Sequence, residues 1–317
     1  MLPLTTAVIG VGYLGKYHAD KYAQLPQSQL VAIADVDSKA RETFSEKYAI
    51  PTFSDYRSLL GKVKAVSIAT PTPLHFPIAS FFLDHGVHVL IEKPITSTLT
   101  EAEELIQLAK KRNCILQVGH LERFNPALLA VQPHLHHPRF IESVRVAPFQ
   151  LRGLDVNVIL DLMIHDIDII QSIVNSPIRH IHANGTPILS NDTDIANARI
   201  EFHDGCVANV TASRVSFKSE RKMRIFQEHS YLSLDFQNAS FILCKKGKSI
   251  SPSGMPEILR EEFQFENKDA LLAEINSFLN AILHQTPSLV SGEEGKRALE
   301  TAIQISKLVK SPTFAFA

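Results

Sequence analysis

The fold of the first part of the chain follows from the stretch AVIGVGYLG at residues 7–15. A short β-branched run leads into three glycines spaced as GxGxxG, a pattern that is weak alone but informative between a strand and a helix. Gly10 permits a tight turn, Gly12 lets the backbone approach a pyrophosphate, and Gly15 allows helix and strand to pack closely. The turn, with Tyr13 and Leu14, is therefore predicted to hold dinucleotide phosphates at a helix N-terminus.

Asp35 supplies a second part of the same signal. It ends the β-branched run 30–34, 20 residues after Gly15. A carboxylate there accepts hydrogen bonds from an adenosine ribose and repels a 2′-phosphate, so NAD is favoured over NADP. Lys39 and Arg41 lie nearby, so NADP remains an alternative cofactor. The alternative is a glycine-rich turn in an unrelated α/β fold.

Strand-like and helical patterns alternate over residues 1–121. The strand-like runs lie at 7–9, 30–34, 65–69, 87–91 and 115–118, and the amphipathic stretches at 38–48 and 100–112. This alternation predicts βαβ units in a parallel sheet, which binds ligands at the carboxyl ends of its strands. The residues expected to contact a cofactor at that edge are Thr70, Pro71, His75, Glu92 and Lys93.

The pattern changes after residue 121. Strand-like segments at 140–148, 195–202, 206–213, 222–227, 230–235 and 240–245 surround one long helix at 158–174, and helices at 269–284 and 292–310 follow. Strands clustered around few helices predict an α+β domain with an antiparallel or mixed sheet. We expect a first domain at 1–121, a second at 122–291 and a C-terminal helical segment at 292–317.

Two positions carry candidate chemistry. Lys93, at the carboxyl end of a strand, can hydrogen-bond the oxygen of a carbon that exchanges a hydride; the alternative is a solvated surface lysine. A helix over DLMIHDID would place Asp161, His165 and Asp168 on one face of an otherwise apolar segment. His165 could then serve as a general base, oriented by Asp161. A self-satisfied Asp–His pair in the core and a metal site are the alternatives, and no metal site is predicted because no further ligand set appears.

Composition and charge exclude several classes. The 317 residues carry 32 Lys+Arg and 33 Asp+Glu, which argues against a nucleic-acid partner. The length favours two domains, since single cores usually stop growing at about 250–300 residues. The apolar runs are far shorter than the ~20 residues of a membrane span. The three cysteines form no CxxC, which predicts a reducing compartment. The sequence does not start with a basic segment followed by an apolar one, as a signal peptide would, so we expect a cytoplasmic protein with no membrane partner.

Motifs spread in order over the chain resemble the Gfo/Idh/MocA oxidoreductases. They are GVGYLG at 10–15, ATPTPLH at 69–75, EKP at 92–94, GHLERFNP at 119–126, DLMIHDID at 161–168 and the closing stretch 288–308. The resemblance implies a Rossmann domain followed by an α+β domain with an open, mostly antiparallel sheet, its last helix packing back on the first domain. It also implies oxidation or reduction of a sugar or cyclitol hydroxyl with NAD(P). Lys93 would contact the reacting hydroxyl, His165 would be the acid/base residue and Asp161 would line the pocket.

The motifs GHLERFNP and DLMIHDIDII are most similar to the branch of UDP-N-acetylglucosamine 3-dehydrogenases, which make a 3-keto sugar for an aminotransferase in lipid A synthesis. That resemblance implies oxidation at C3 of a nucleotide sugar, with His120, Arg123 and Asn125 near the substrate. A groove for the diphosphate would use arginines, of which Arg123, Arg152 and Arg214 are candidates. A dehydrogenase of a free sugar, inositol or other polyol, and a non-catalytic NAD(P)-sensing regulator, remain alternatives.

The family resemblance also implies a homodimer or homotetramer, assembled through the exposed face of the second-domain sheet. Residues 207–212 alternate between Val207, Asn209, Thr211 and Ala208, Val210, Ala212. One face of such a strand packs on a core, and the other face is expected to be covered by another subunit.

Overall fold

Strands and helices alternate along the first part of the structure, a computed structural model that describes residues 2–150, 156–250, 253–266 and 269–310. The strands are Leu4–Ile9 (β1), Ser28–Ala34 (β2), Thr52–Phe53 (β3), Ala65–Ile68 (β4), His88–Glu92 (β5) and Leu116–Gly119 (β6). The helices are Gly15–Gln24 (α1), Ser38–Tyr48 (α2), His75–Asp84 (α3) and Leu99–Arg112 (α4). All strand pairs are parallel, in the order β3-β2-β1-β4-β5-β6. The strand order reverses between β1 and β4, where such sheets bind their ligands.

The core of this sheet explains why its strands read as apolar runs. Ala7, Val8 and Ile9 of β1 are almost fully buried, as are Val89, Leu90 and Ile91 of β5. Strands covered by helices on both faces need apolar residues at every position rather than at alternate ones. The helix α4 begins at a capping box in which Thr98 and Glu101 satisfy each other's backbone N–H groups.

The second sheet has eight strands. They are Phe140–Val146 (β7), Ile178–Thr186 (β8), Ile195–Phe202 (β9), Val207–Ser213 (β10), Glu220–Gln227 (β11), Ser230–Asp235 (β12), Ser240–Ile250 (β13) and Pro256–Gln264 (β14). Their order is β14-β13-β12-β11-β7-β10-β9-β8, and β7 and β10 form the one parallel pair among the described strands of this sheet. The predicted fold class, a parallel Rossmann sheet followed by a mostly antiparallel sheet, is confirmed.

Two strands of this sheet, β8 and β14, were not predicted from the sequence. They are its two edge strands, and most of their residues are exposed. An edge strand with little buried surface lacks the alternation of apolar and polar residues by which a strand is recognised. The inner strands do show it: Ala208, Val210 and Ala212 are fully buried, whereas their neighbours in β10 are partly exposed.

The remaining helices are Pro126–Val131 (α5), Ile164–Ile173 (α6), Ala270–His284 (α7) and Gly292–Lys310 (α8). None of the described helices combines the length and apolar character needed to cross a bilayer.

The structure divides the chain differently from the predicted boundaries. One compact unit lies within Met1–Leu121 and Asp269–Arg297, and the other within Glu122–Lys268 and Ala298–Ala317. Residues 269–291 therefore belong to the first unit, not the second, because α7 buries its apolar face in the core around β1 and β2. The predicted C-terminal segment is split: α8 starts in the first unit, but its later residues lie in the core of the second, and residues 311–317 lie outside the described residues.

The position of α7 makes a testable prediction. Phe278 is fully buried in the core of the first unit, whereas Phe217 in the second unit is fully exposed. We expect Phe278→Ala to lower the free energy of unfolding by about 3–5 kcal/mol, because it removes a buried ring and leaves a cavity. Phe217→Ala is the matched control, expected to change it by less than about 0.5 kcal/mol. Urea unfolding measures both; equal effects would contradict the packing of α7.

Candidate active site

The strands of the first sheet end level with one another along one edge. Ile9 pairs with both Ala34 and Ile68, Ile68 pairs with Ile91, and Glu92 pairs with Gly119. The residues predicted to bind a cofactor follow these strand ends, so they lie along this edge. Asp35 and Lys93 follow strands three positions apart, which places them about 14 Å apart at a strand spacing of roughly 4.8 Å.

The glycine turn after β1 has the geometry that its sequence predicted. Gly10 has a φ of +80°, and a Cβ there would stand 2.8 Å from the carbonyl oxygen of Ala69. A Cβ on Gly15 would overlap the carbonyl oxygen of Gly10, so α1 can approach β1 only with glycine at this position. A Cβ on Gly12 would meet nothing within 4 Å, so its backbone faces open space.

The first turn of α1 fits a dinucleotide phosphate. Leu14 at the N-cap makes no side-chain cap hydrogen bond, and no acidic residue lies in the first turn. Tyr13 and Leu14 are both exposed. An uncapped helix N-terminus beside an open glycine is the environment that binds phosphate through backbone N–H groups.

Asp35 connects the glycine turn to the end of β2. Its Oδ2 accepts a hydrogen bond of 2.7 Å from the N–H of Val11, and its Oδ1 accepts one of 2.8 Å from the N–H of Asp37. The remaining acceptor capacity of the carboxylate can serve a ribose. The guanidinium of Arg41 donates to the carbonyl oxygens of Asp35 and Val36, so it is held beside this turn.

Thr70, Pro71 and His75 follow β4. The buried imidazole of His75 lies 2.9 Å from the carbonyl oxygen of Thr70 and 2.9 Å from that of Pro94, so it links the ends of β4 and β5. Burial lowers the pKa of His75, although both carbonyl oxygens favour the charged form. The buried Oγ1 of Thr70 has no hydrogen-bond partner among the described residues.

Lys93 stands at the carboxyl end of β5 and is partly buried. The peptide bond between Lys93 and Pro94 is cis. The N–H of Lys93 donates to Oε2 of Glu92, at 3.3 Å. Glu92 thus turns back toward the protein interior, where its Oε1 lies 2.9 Å from Nε2 of His18.

His18 and Glu274 were missed by the sequence analysis. His18 comes from α1 and Glu274 from α7, and both are almost fully buried. Within the described residues, His18, Glu92 and Glu274 form a group whose ligand-type atoms all lie within 4.8 Å of one another. Glu274 could have been noticed as an acidic residue in the apolar helix 269–284, but the sequence does not show which residues it faces.

Asp161 and His165 lie in the second unit, on the segment predicted to be one helix. A π-helical turn at Ile159–Met163 precedes α6, and single π turns of this kind are frequent at functional sites. Asn157, also missed, caps the segment by accepting the N–H groups of Ile159 and Leu160. Asp161 and His165 are partly exposed, as are Leu160 and Leu162, in a stretch that is otherwise buried.

Asp168, predicted to share a helix face with Asp161 and His165, is buried. Its Oδ1 lies 3.3 Å from the guanidinium of Arg123. The partly exposed polar stripe of this segment therefore consists of Asp161 and His165. Arg123, predicted to lie near the substrate, is itself buried in this pair.

A second buried ion pair fixes α6 to the sheet. The guanidinium of Arg145 in β7 donates to Asp166 at 2.7 Å and to Glu122 at 2.8 Å. Burial would raise the pKa of Glu122, but Arg145 outweighs it and holds that pKa below its ordinary value. Ser143 also donates to Asp166, at 2.9 Å. Since Asp166 adjoins His165, these bonds set the orientation of the helix that carries His165.

The other predicted substrate contacts have structural partners. Asn125 caps α5 by accepting the N–H of Ala127, and it donates to the carbonyl oxygen of Phe236 at 2.9 Å. His120 is buried just after β6. Arg214 forms a buried pair with Asp194 at 2.8 Å. Arg123 and Arg214 are thus held in ion pairs instead of a diphosphate groove, and Arg152 lies outside the described residues.

Comparison with known proteins gives the same assignment for both units. Residues 4–120 match a family model described as an oxidoreductase family with an NAD-binding Rossmann fold. Residues 130–233 match the GFO/IDH/MocA C-terminal domain.

Similar proteins extend over the full chain. The UDP-N-acetylglucosamine 3-dehydrogenase of Acidithiobacillus ferrooxidans is 38% identical over 312 residues, 98% of this chain and 99% of that one. A solved structure of that enzyme matches with a TM-score of 0.92 at 39% identity, covering 98% of each chain. The myo-inositol 2-dehydrogenase of Thermotoga maritima is 24% identical and covers 92% of each chain. A scyllo-inositol dehydrogenase from Lactobacillus casei, solved with NAD(H) and scyllo-inositol, shares the fold with a TM-score of 0.81 at 21% identity, over 97% of each chain.

A Rossmann sheet with this glycine turn and acid, followed by a sheet domain of this kind, defines an NAD-dependent dehydrogenase that acts on CH–OH groups. The chain belongs to the Gfo/Idh/MocA family of oxidoreductases. The predicted family, enzyme class and cofactor are confirmed.

Asp35 makes a testable prediction about the cofactor. Asp35→Asn removes the charge that repels a 2′-phosphate and one of the two acceptors that the backbone uses. We expect the ratio of kcat/KM for NAD to kcat/KM for NADP to fall at least about tenfold, because the ribose of NAD loses one hydrogen bond to a charged group. Asp37→Asn is the matched control, since asparagine caps α2 equally well. A similar fall in both variants would show that general charge, not Asp35, sets the preference.

The ion pairs beneath α6 make a second prediction. Arg145→Ala leaves Asp166 and Glu122 buried without their cation, and we expect it to lower the free energy of unfolding by about 3–5 kcal/mol. Arg199→Ala removes a half-exposed pair with Glu201 and should cost less than about 1 kcal/mol. Chemical denaturation of both variants tests this, and an Arg145→Ala protein as stable as the wild type would refute it.

Proposed function

We propose that the enzyme oxidises the C3 hydroxyl of UDP-N-acetylglucosamine with NAD, giving the 3-keto nucleotide sugar. The observation that carries this proposal is the 38% identity to a UDP-N-acetylglucosamine 3-dehydrogenase along practically the whole of both chains. That identity spans the glycine turn, the strand ends and the second sheet, so the similarity is not confined to the cofactor domain.

In this proposal the sheet edge binds NAD. The open backbone at Gly12 and the N-terminus of α1 meet the pyrophosphate, with Tyr13 and Leu14 alongside and Gly10 and Gly15 shaping the turn. Asp35 accepts the adenosine ribose hydroxyls. Residues at the ends of β4 and β5 flank the rest of the cofactor; they are Thr70, Pro71, His75, Glu92 and Lys93. Bound NAD⁺ supplies the hydride acceptor.

Lys93 and His165 supply the proton chemistry. His165 removes the hydroxyl proton, since a neutral imidazole is a base at physiological pH. The ammonium of Lys93 stabilises the negative charge that develops on the oxygen as the hydride leaves its carbon. Asp161 lies on the exposed side of the π turn, next to His165 in the polar stripe, and orients it or contacts the substrate.

A dehydrogenase of inositol or another polyol is the second candidate. Its support is the relative named myo-inositol 2-dehydrogenase, which also matches over 92% of both chains. The burial of Arg123 and Arg214 in ion pairs favours it too, since neither arginine is then placed to bind a diphosphate. A non-catalytic sensor is less well supported, because it would not need both Lys93 and His165.

We propose a homodimer or homotetramer formed through the partly exposed face of the second sheet. Phe140, Phe226 and Tyr231 stack across three adjacent strands on that face, with ring centroids 5.8 and 4.9 Å apart. Aromatic groups of this size in a partly exposed sheet are typical of an interface. A cytoplasmic setting, with an aminotransferase that consumes the keto sugar for lipid A, completes the proposal; the three free cysteines suit a reducing compartment.

The substrate is tested by NADH formation. We expect UDP-N-acetylglucosamine to be oxidised with a kcat/KM at least about tenfold above that for free N-acetylglucosamine, myo-inositol and scyllo-inositol, because only the nucleotide sugar offers contacts remote from the reacting carbon. Turnover of an inositol with no turnover of the nucleotide sugar would establish the second candidate instead.

The roles of Lys93 and His165 are tested by substitution. We expect His165→Asn to lower kcat about 10²–10⁴-fold, the usual contribution of a general base, and Lys93→Ala to lower it about 10²–10³-fold. His165→Asn should bind NADH normally by fluorescence titration, whereas the kcat of Lys93→Ala is measured at saturating NAD because Lys93 also flanks the cofactor. His180→Asn, at an exposed position of β8, is the matched control. Full activity in either variant would rule out its assigned role.

A further inference from the structure

Three titratable side chains meet in the interior of the first unit, immediately behind Lys93. His18 of α1 is 1% exposed and Glu274 of α7 is fully buried, and Glu92 ends β5 between them. The nearest His18 nitrogen lies 2.9 Å from Oε1 of Glu92. One ligand-type atom from each of the three residues lies within 4.8 Å of the other two. We call this set the buried carboxyl cluster.

The two carboxyl groups of the cluster have unequal partners. Glu92 contacts His18 through one oxygen and accepts the N–H of Lys93 through the other. Both carboxyl oxygens of Glu274 are buried and have no hydrogen-bond partner among the described residues. Two carboxylates buried this close together do not both ionise, because each disfavours the charge of the other, so the cluster holds one proton. It belongs on Glu274, the group with no cation or donor.

The directions of the pKa shifts agree with this assignment. Burial raises the pKa of Glu274 well above its ordinary value, and the charge of Glu92 raises it further. Burial would also raise the pKa of Glu92, but His18 and Lys93 outweigh it and lower that pKa.

The other side of the cluster is anchored by neutral groups. The Nδ1 of His18 lies 3.1 Å from the hydroxyl of Ser67, which lies 2.8 Å from the hydroxyl of Tyr22. Gln117 of β6 donates to the backbone carbonyl of Glu274 at 3.1 Å and so fixes α7 against the sheet. The titratable groups that face the cluster are thus Tyr22 from α1, Lys93 from β5 and His75 from α3.

We propose that Glu274 is a neutral carboxylic acid in the folded protein and that, together with His18, it holds the Glu92 carboxylate as the fixed anion that positions Lys93. His18, Glu92 and Glu274 are then positioning residues. The part of this inference that concerns Lys93 rests on the proposed function, whereas the protonation of Glu274 does not. With Glu274 neutral, Glu92 is the anion of the cluster, and its Oε2 accepts the N–H of Lys93.

The proton on Glu274 is tested by the pH dependence of unfolding. In the unfolded chain Glu274 ionises near its ordinary pKa of about 4.3, so unfolding releases the proton and becomes easier as the pH rises toward the folded-state pKa. Glu274→Gln is neutral in both states and resembles the protonated acid. Above about pH 5 we expect the unfolding constant of the wild type, relative to that of Glu274→Gln, to rise with pH by up to about tenfold per unit, and to level off once the folded-state pKa is passed.

The control for this experiment is Glu300→Gln, an exposed position of α8, which should keep the wild-type pH dependence. A ratio that stays constant with pH for Glu274→Gln means that Glu274 is ionised in the folded protein and overturns the inference. A metal ion retained by the purified enzyme at one per chain, and lost in Glu274→Gln, would overturn it as well, because the cluster would then be a ligand set.

The positioning of Lys93 is tested by Glu274→Leu, which removes the carboxyl group beside Glu92. We expect faster amide hydrogen exchange at Lys93 by at least tenfold, unchanged NADH affinity, a lower kcat and a shifted acid limb of its pH profile. The kcat of Glu274→Gln should be at least tenfold higher than that of folded Glu274→Leu. Wild-type exchange at Lys93 in folded Glu274→Leu would overturn the positioning role. If the wild type oxidises no sugar or polyol, the proposed function fails, while the unfolding and exchange experiments still decide this inference.

Discussion

The first unit depends on the close approach of α1 to β1. A side chain at Gly15 would overlap the carbonyl oxygen of Gly10, so the helix reaches this position only because both residues are glycines. The approach has two consequences on opposite sides of the turn. It presents the backbone around Gly12 and the N-terminus of α1 to the sheet edge, and it carries His18, one turn further along, into contact with Glu92. The motif recognised as a phosphate site thus also sets the environment of Lys93.

In the second unit, the segment that carries His165 is also held in a fixed position. Its candidate base lies on a segment whose register changes at a π turn, and that segment is held by charges rather than by close backbone contact. Asp166 and Asp168 follow His165 in the sequence, and each pairs with a buried arginine, Arg145 and Arg123 respectively. Removing one partner of such a pair is costly, so α6 has little freedom to rotate. His165 and Asp161 are the polar positions of this stretch left toward solvent.

Much of the fold could be predicted from the sequence because its signals are local. The glycine turn, Asp35 and the β-branched strands each depend on neighbours within a few residues. The edge strands β8 and β14 could not, since exposed strands carry no alternation, and neither could the packing of α7, whose apolar face does not say which core it enters. In the site, Glu274 and His18 are separated along the sequence by most of the chain, and nothing in the sequence shows that Arg123 pairs with Asp168. Long-range pairing of charges is decided by the tertiary structure and leaves no periodic trace.

We propose that this enzyme removes a hydride from C3 of a nucleotide sugar. Deuterium placed at C3 of UDP-N-acetylglucosamine tests it most directly, with the NADH product analysed by mass spectrometry. The account predicts that the deuterium is transferred to the reduced cofactor, whereas deuterium at C4 or C6 of the same sugar is not. Reduced cofactor without deuterium from the C3-labelled sugar, or with deuterium from another position, would contradict it.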